Sequence, residues 1–251
     1  MKSSASPSYK EVTMGQESSS RRPSCASCEL ETQERICYTE EGRSSKGCPT
    51  LTRREVLKEA NKEYEAPAIH EFALQASRQE AECYANRHER PYVMQPTKTR
   101  IVETCEFARK MGYKRLGLAF CIGLQQEAGL VEEILRSHGF EVVSVLCKAG
   151  RTSKDRIGIT NEEKIYQDTD ESMCNPIFQA KVLNSEETEF NILLGLCVGH
   201  DSLFFKYAEA PTTVLAVKDR VTGHNPLAAI YLSNSYYRKV KAPRKNDSAS
   251  T

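Results

Sequence analysis

The sequence predicts an α/β fold: a Rossmann-like or flavodoxin-like parallel sheet of about four strands with helices on both faces, preceded by a helical region and a small four-cysteine module. Three observations carry this expectation. From Tyr113 onward, short apolar runs alternate with amphipathic segments of helical period. The apolar runs are nearly continuous, as strands covered on both faces must be. Two of the intervening helices start with the same pair, Asn175–Pro176 and Asn225–Pro226, an N-cap followed by the residue best suited to the first helical position.

Taken in chain order, residues 1–24 hold eight serines and almost no periodic apolar residues, too little to offset the entropy of ordering, so a disordered tail is expected. Arg21 and Arg22 raise the question of a transit leader, but Glu11, Glu17 and the missing apolar stripe argue against it. Residues 25–50 form a cysteine-rich module with little apolar content. Residues 51–111 read as helical: 52–92 are rich in Glu, Ala, Lys and Arg, and Pro67 separates two helices. The segment from Thr97 then sets Ile101, Cys105, Ala108 and Met111 on one face before Gly112 ends it.

The α/β domain is expected over 112–238. Its strands are "YKRLGLAFC" (113–121), "FEVVSVLC" (140–147), "FNILLGLC" (190–197) and "TTVLAVKD" (212–219). Its helices are 123–139, with Leu124, Ala128, Val131 and Leu135 on one face, then 174–184, 201–210 capped by Asp201, and 224–232. Residues 239–251 read as a disordered basic tail.

Bulk properties restrict the function. With 35 basic against 34 acidic side chains, global charge does not point to nucleic acid or an anionic membrane. No apolar run reaches the roughly 20 residues of a membrane span and no secretory h-region opens the chain, so a soluble cytoplasmic protein is expected. Ten cysteines in such a compartment are kept as thiols rather than disulfides, which favours metal binding or thiol chemistry.

Cys25, Cys28, Cys37 and Cys48 are spaced C-x2-C-x8-C-x10-C. A close pair grips one ion and two later thiolates complete a tetrahedral set; the segment has almost nothing else to fold around. Zinc or an iron-sulfur cluster would use these ligands. A flexible segment with unpaired thiols is the alternative.

A second set is scattered over 77 positions: Cys121, Cys147 and Cys197 close three predicted strands, and Cys174 precedes the Asn175 cap. In a doubly wound sheet, ligands bind outside the carboxyl ends of the strands, so these four share the functional rim. Free cysteine also fills cores as a small hydrophobe, and Cys83 and Cys105, on helices, are read that way. Thiolates near helix N-termini are stabilised and bind metal or attack. Beside them stand His200, Asp201, Lys218, Arg220 and His224 as candidate acid-base or charge-balancing groups, with Lys148 next to Cys147. "CIGLQQEAG" lacks G-x-G-x-x-G, which ranks a dinucleotide enzyme low.

The stretches "FCIGL" (120–124), "MCNPI" (173–177), "GLCVGHDSLF" (195–204) and "VKDRVTGHNP" (217–226) resemble an uncharacterised, mainly prokaryotic, cysteine-rich family of unknown function whose members are often called metal-binding proteins. The resemblance spans residues 25–232 and implies that the family's cysteines correspond to Cys25, Cys28, Cys37, Cys48, Cys121, Cys147, Cys174 and Cys197. It supplies no reaction, and the serine-rich first 24 residues depart from that family's compact start.

The leading expectation is a metal-binding protein with zinc or an iron-sulfur cluster at the N-terminal site and a second, iron-sulfur centre at Cys121, Cys147, Cys174 and Cys197, serving a small molecule or redox partner. Two rivals accompany it. One is a thiol enzyme with Cys174 or Cys197 as nucleophile and His200 or His224 as base; the other is a non-catalytic, metal-dependent regulatory or scaffold module.

Overall fold

In the computed structural model of the protein, residues 22–242 are described, in two compact units that divide between Leu74 and Gln75. The tails expected at 1–24 and 239–251 lie outside these residues except for 22–24 and 239–242. Arg238–Lys241 form a short 3-10 turn.

In the first unit no side chain from residue 22 to 74 is buried. Two 3-10 turns, Cys25–Ser27 and Thr32–Glu34, are followed by helices α1 (Pro49–Thr52) and α2 (Arg54–Glu63). Backbone bonds shape the loop between the middle cysteines: Arg43 N donates to Glu34 O at 2.7 Å, and Ile36 N to Arg43 O at 2.9 Å. Helix α3 (Pro67–Glu82) starts at the proline expected to separate two helices.

The second unit is the α/β layer. Helix α4 (Arg100–Lys110) leads into β1 (Arg115–Phe120), α5 (Gln125–Ser137), β2 (Glu141–Leu146), α6 (Pro176–Ser185), β3 (Phe190–Leu194), α7 (His200–Tyr207), β4 (Thr212–Ala216) and α8 (Pro226–Tyr231). All strand pairings are parallel, in the order β2-β1-β3-β4. The expected fold class is therefore the observed one. No helix among the described residues is long and apolar enough to cross a membrane.

Apolar residues are buried on both faces of the central strands, as a sheet covered on two sides requires. On one face Ala119, Val145 and Leu193 pack with Ala180 and Leu183 of α6 and Phe204 of α7. Leu116 and Phe190, register partners on the other face, are buried as well, and Phe107 of α4 lies against Phe190 with ring centroids 5.5 Å apart. Helix α5 buries Ala128, Val131 and Leu135, the stripe its sequence period announced.

Two glycines are required. A Cβ on Gly117 would stand 2.1 Å from Asn191 Oδ1 and 2.8 Å from Leu183 Cδ1, so this position lets the buried Asn191 amide and α6 approach the sheet. Gly195 has φ +68, and its left-handed turn ends β3 and would set a Cβ 2.1 Å from Leu124.

Several expected boundaries shift at this end of the sheet. The third strand stops at Leu194, so Cys197 lies on the following loop rather than at the strand end. The fourth stops at Ala216, leaving Lys218 and Asp219 in a turn. Helix α7 starts at His200 with Gly199 at the cap, so Asp201 is inside the first turn and accepts from Ser202 N at 2.7 Å; it is not the cap. Asn225 holds the cap position of α8 without a side-chain cap bond, whereas Asn175 Oδ1 accepts from Phe178 N at 3.0 Å as expected.

Candidate functional site

The strand order places the reversal of direction between β1 and β3, and the crevice at their carboxyl ends is where an open α/β sheet binds ligands. Cys121 stands there because its amide extends the ladder, donating to Leu194 O at 3.1 Å. Cys147 does the same one strand over, donating to Phe120 O at 2.9 Å. Cys174 is carried in by a long excursion that folds back on itself. Met173 N donates to Thr152 O at 2.7 Å, Lys154 pairs with the buried Glu171 at 2.9 Å, and Asn175 N donates to Cys147 O at 2.8 Å. Cys197 opens α7, its carbonyl accepting from the amides of His200 and Asp201 at 3.0 and 3.1 Å.

These four cysteines line one pocket together with Gln179, Leu196 and His200, and that pocket is too tight to admit a water molecule. Inside it the groups form a row. Cys121 is hydrogen-bonded to Cys147, Cys147 Sγ lies 3.7 Å from Cys174 Sγ, and Cys174 is hydrogen-bonded to His200. Ile122 N also donates to Cys147 Sγ at 3.3 Å, and Arg220 Nη2 to Cys197 Sγ at 3.1 Å.

The row sorts the thiols by charge. Cys147 is bonded to the thiols of Cys121 and Cys174 and is itself buried, so its pKa is pushed far up. Cys174, bonded to Cys147 and then to the His200 imidazole, is brought down to about 4. Cys121 is brought down to about 5 by its bond to Cys147, the Gly123 amide and the Lys218 ammonium. His200 is raised in return by its bond to Cys174.

Of the candidate acid-base groups, the structure brings His200 and Lys218 to the thiols. It does not bring His224, whose ring is engaged with Asp219 N at 3.2 Å and Val217 O at 3.1 Å, nor Asp201, which turns to Ser202. Cys105 is buried on α4 as read, and Cys83 is buried in the turn just after α3 rather than on the helix, their thiols raised by desolvation. Sequence reasoning missed Gln179. Its signal was a polar residue on the α6 face that also buries Pro176, Ala180 and Leu183.

The N-terminal set is built differently. Cys25, Cys28, Cys37 and Cys48 line one water-accessible cavity in the first unit, together with residues such as Leu30, Arg35, Ile36 and Ser45. The Cys28 thiol is lowered by a bond from the Leu30 backbone and another from Ser45. No group of three or more Cys, His, Asp or Glu side chains among the described residues stands in an arrangement that could hold a metal ion.

A parallel α/β sheet with thiols gathered at its switch point is the class of protein that fold and site define. Within it, the chain belongs to the family described as "Protein of unknown function (DUF1847)", whose profile matches residues 48–215. It is also similar to "Uncharacterized protein MJ0455" of Methanocaldococcus jannaschii, 40% identical over 215 residues, which cover 86% of this chain and 96% of that one. The matched family segment includes Cys48 and all four rim cysteines.

Proposed function

We propose that the protein binds metal at two thiol sites: zinc or an iron-sulfur cluster at Cys25, Cys28, Cys37 and Cys48, and a second cysteine-ligated centre at Cys121, Cys147, Cys174 and Cys197. The observation that carries this reading is that eight cysteines, spread over the chain, fall into two cavities of four. Core filling has no reason to sort them so.

Each set has donors suited to such groups, for separate reasons, although as they stand no three of them are arranged around one point. The first set lies in a segment without a buried side chain, where metal binding, worth on the order of 10 kcal/mol or more in small zinc modules, supplies what an apolar core does not. At the rim, a tetrahedral ion with metal–sulfur bonds of about 2.3 Å needs its sulfurs about 3.8 Å apart. Cys147 and Cys174 are 3.7 Å apart, which suits two thiolates on one ion. Lys148, Lys218 and Arg220 offset the thiolate charge, and His200 orients Cys174. Iron at such a centre supplies one-electron chemistry toward a redox partner, and zinc supplies a structural or Lewis-acid role.

Purification without air, followed by iron, sulfide and zinc analysis, tests this. Metal in proportion to both sites, falling by one site's worth when Cys147 is changed to Ser, is the expected result. A colourless, metal-free protein with all ten thiols titratable overturns it.

A second reading is favoured by the Cys174–His200 contact alone: a thiol enzyme with Cys174 as nucleophile and His200 as its base. Here one cysteine, Cys174, reacts far faster than the rest with a mild alkylating agent at neutral pH. Uniform slow labelling rejects it.

A further inference from the structure

We propose that the side-chain oxygen of Gln179 faces the ion held by the rim thiols, making the centre a mixed sulfur and oxygen site; this rests on the metal reading of the rim given above. Gln179 is fully buried, in the first turn of α6. Its Nε2 donates to Phe120 O at 3.2 Å and to Val145 O at 2.7 Å, the closing carbonyls of β1 and β2. Those two bonds use both amide hydrogens. They also fix which way the amide is turned, because the flipped group would set its oxygen against two carbonyl oxygens.

The oxygen so fixed has no hydrogen-bond partner among the described residues. A buried acceptor without a donor is costly, and native interiors seldom retain one. None of the neighbouring thiols donates to it, and water does not fit the pocket that Gln179 lines. A cation held by the neighbouring thiolates would satisfy such an acceptor oxygen. Nδ1 of His200, a residue that lines the same pocket, is likewise buried without a partner among the described residues.

The proposal separates this rim from an all-sulfur site. An amide oxygen is a harder donor than a thiolate, so it moves the preference of the site away from the softest ions and toward zinc, cobalt or ferrous iron. Gln179 is held by the sheet itself, so the oxygen costs nothing to position when the ion arrives.

Cobalt(II) loading of the full-length reduced chain tests it. The thiolate-to-cobalt charge-transfer absorption that disappears in Cys147→Ser belongs to the rim. In the wild-type protein the Gln179 side-chain amide NMR signals, assigned through their own backbone, shift strongly with cobalt and only slightly with zinc. Gln179→Met keeps the charge-transfer intensity at saturation, changes the d–d bands, and weakens rim affinity by about ten- to a hundredfold. An unshifted Gln179 amide in protein that carries the rim charge-transfer band overturns the oxygen contact and leaves the metal centre standing. Absence of any band sensitive to Cys147→Ser overturns both. The wild-type NMR measurement decides the matter even if Gln179→Met does not fold.

Discussion

Cys28 lies in a stretch where no side chain from residue 22 to 74 is buried, whereas Cys147, 1% exposed, is packed among Ala119, Leu183 and Phe204. The two sets use the same four side chains in opposite circumstances. At the N-terminus the thiols line a water-accessible cavity among turns, and in the metal reading proposed above it is the bound ion that would hold those turns together. At the rim, sheet and helices are already held by buried apolar surface, and the thiols are delivered to the crevice by strand ends and a helix start. One cysteine quartet thus stands in a segment of turns without a buried side chain, and the other on the edge of a packed sheet.

If the cysteine quartets hold metal as proposed, chelation is the strongest way to break this contrast. Chelation is expected to abolish amide-exchange protection across residues 25–48, a loss on the order of 10 kcal/mol of local stability, while β1 and β3 stay protected. Unchanged exchange in 25–48 would mean that the module folds by itself.

The metal-free, reduced protein sharpens the contrast at the rim. Because Cys174 is lowered to about 4, it remains a thiolate well below the ordinary thiol pKa of about 8.5. Its contribution to stability is present above that ordinary value and is lost as pH falls toward 4. At pH 6, iodoacetamide should modify Cys174 at least about tenfold faster than Cys83 or Cys105, whose thiols burial raises. Equal rates followed by peptide mass spectrometry would remove the charge ordering of the row.

Packing changes come next. Gly117→Ala forces a methyl group against Asn191 and Leu183, and a cost of about 1–3 kcal/mol is expected from the urea midpoint of the α/β unit, with zinc content of the first unit unaltered. Asn175→Ala removes the cap of α6 beside Cys174 and should cost about 1 kcal/mol by the same measurement. The smallest effect is expected at the exposed Arg43–Glu34 pair in the N-terminal module, where Arg43→Gln should change metal-loaded stability by no more than about 0.5 kcal/mol. A larger loss there would show that ion pairing shares the work assigned to metal.

Much of the α/β unit was legible in the sequence. The apolar runs at 113–121 and 140–147, the stripe of α5 and the Asn175–Pro176 start all reflect near neighbours in the chain, and all are present. The misplaced cap at Asp201 has an equally local cause: Gly199, with φ +84, ends the loop one step earlier than an acidic residue would suggest. Cys197 was placed on the rim correctly but for the wrong element, since the left-handed turn at Gly195 stops β3 before the apolar run ends.

The site was only half legible. Strand ends identified Cys121 and Cys147, but nothing in the spacing shows that Cys147 sits between Cys121 and Cys174, or that His200 rather than His224 meets a thiol. Gln179 was hidden because a single polar residue on an apolar helix face has no period to betray it.

The sequence by itself determined the α/β class, the helical approach to it and the separation of the cysteines into a clustered set and a scattered set, because periodicity, capping and spacing are properties of adjacent residues. Only the tertiary structure decided the order β2-β1-β3-β4, the crevice between β1 and β3, and the row Cys121–Cys147–Cys174–His200 within it. Those depend on which strand crosses to which side of the sheet, and that choice is made by packing between residues far apart in the chain.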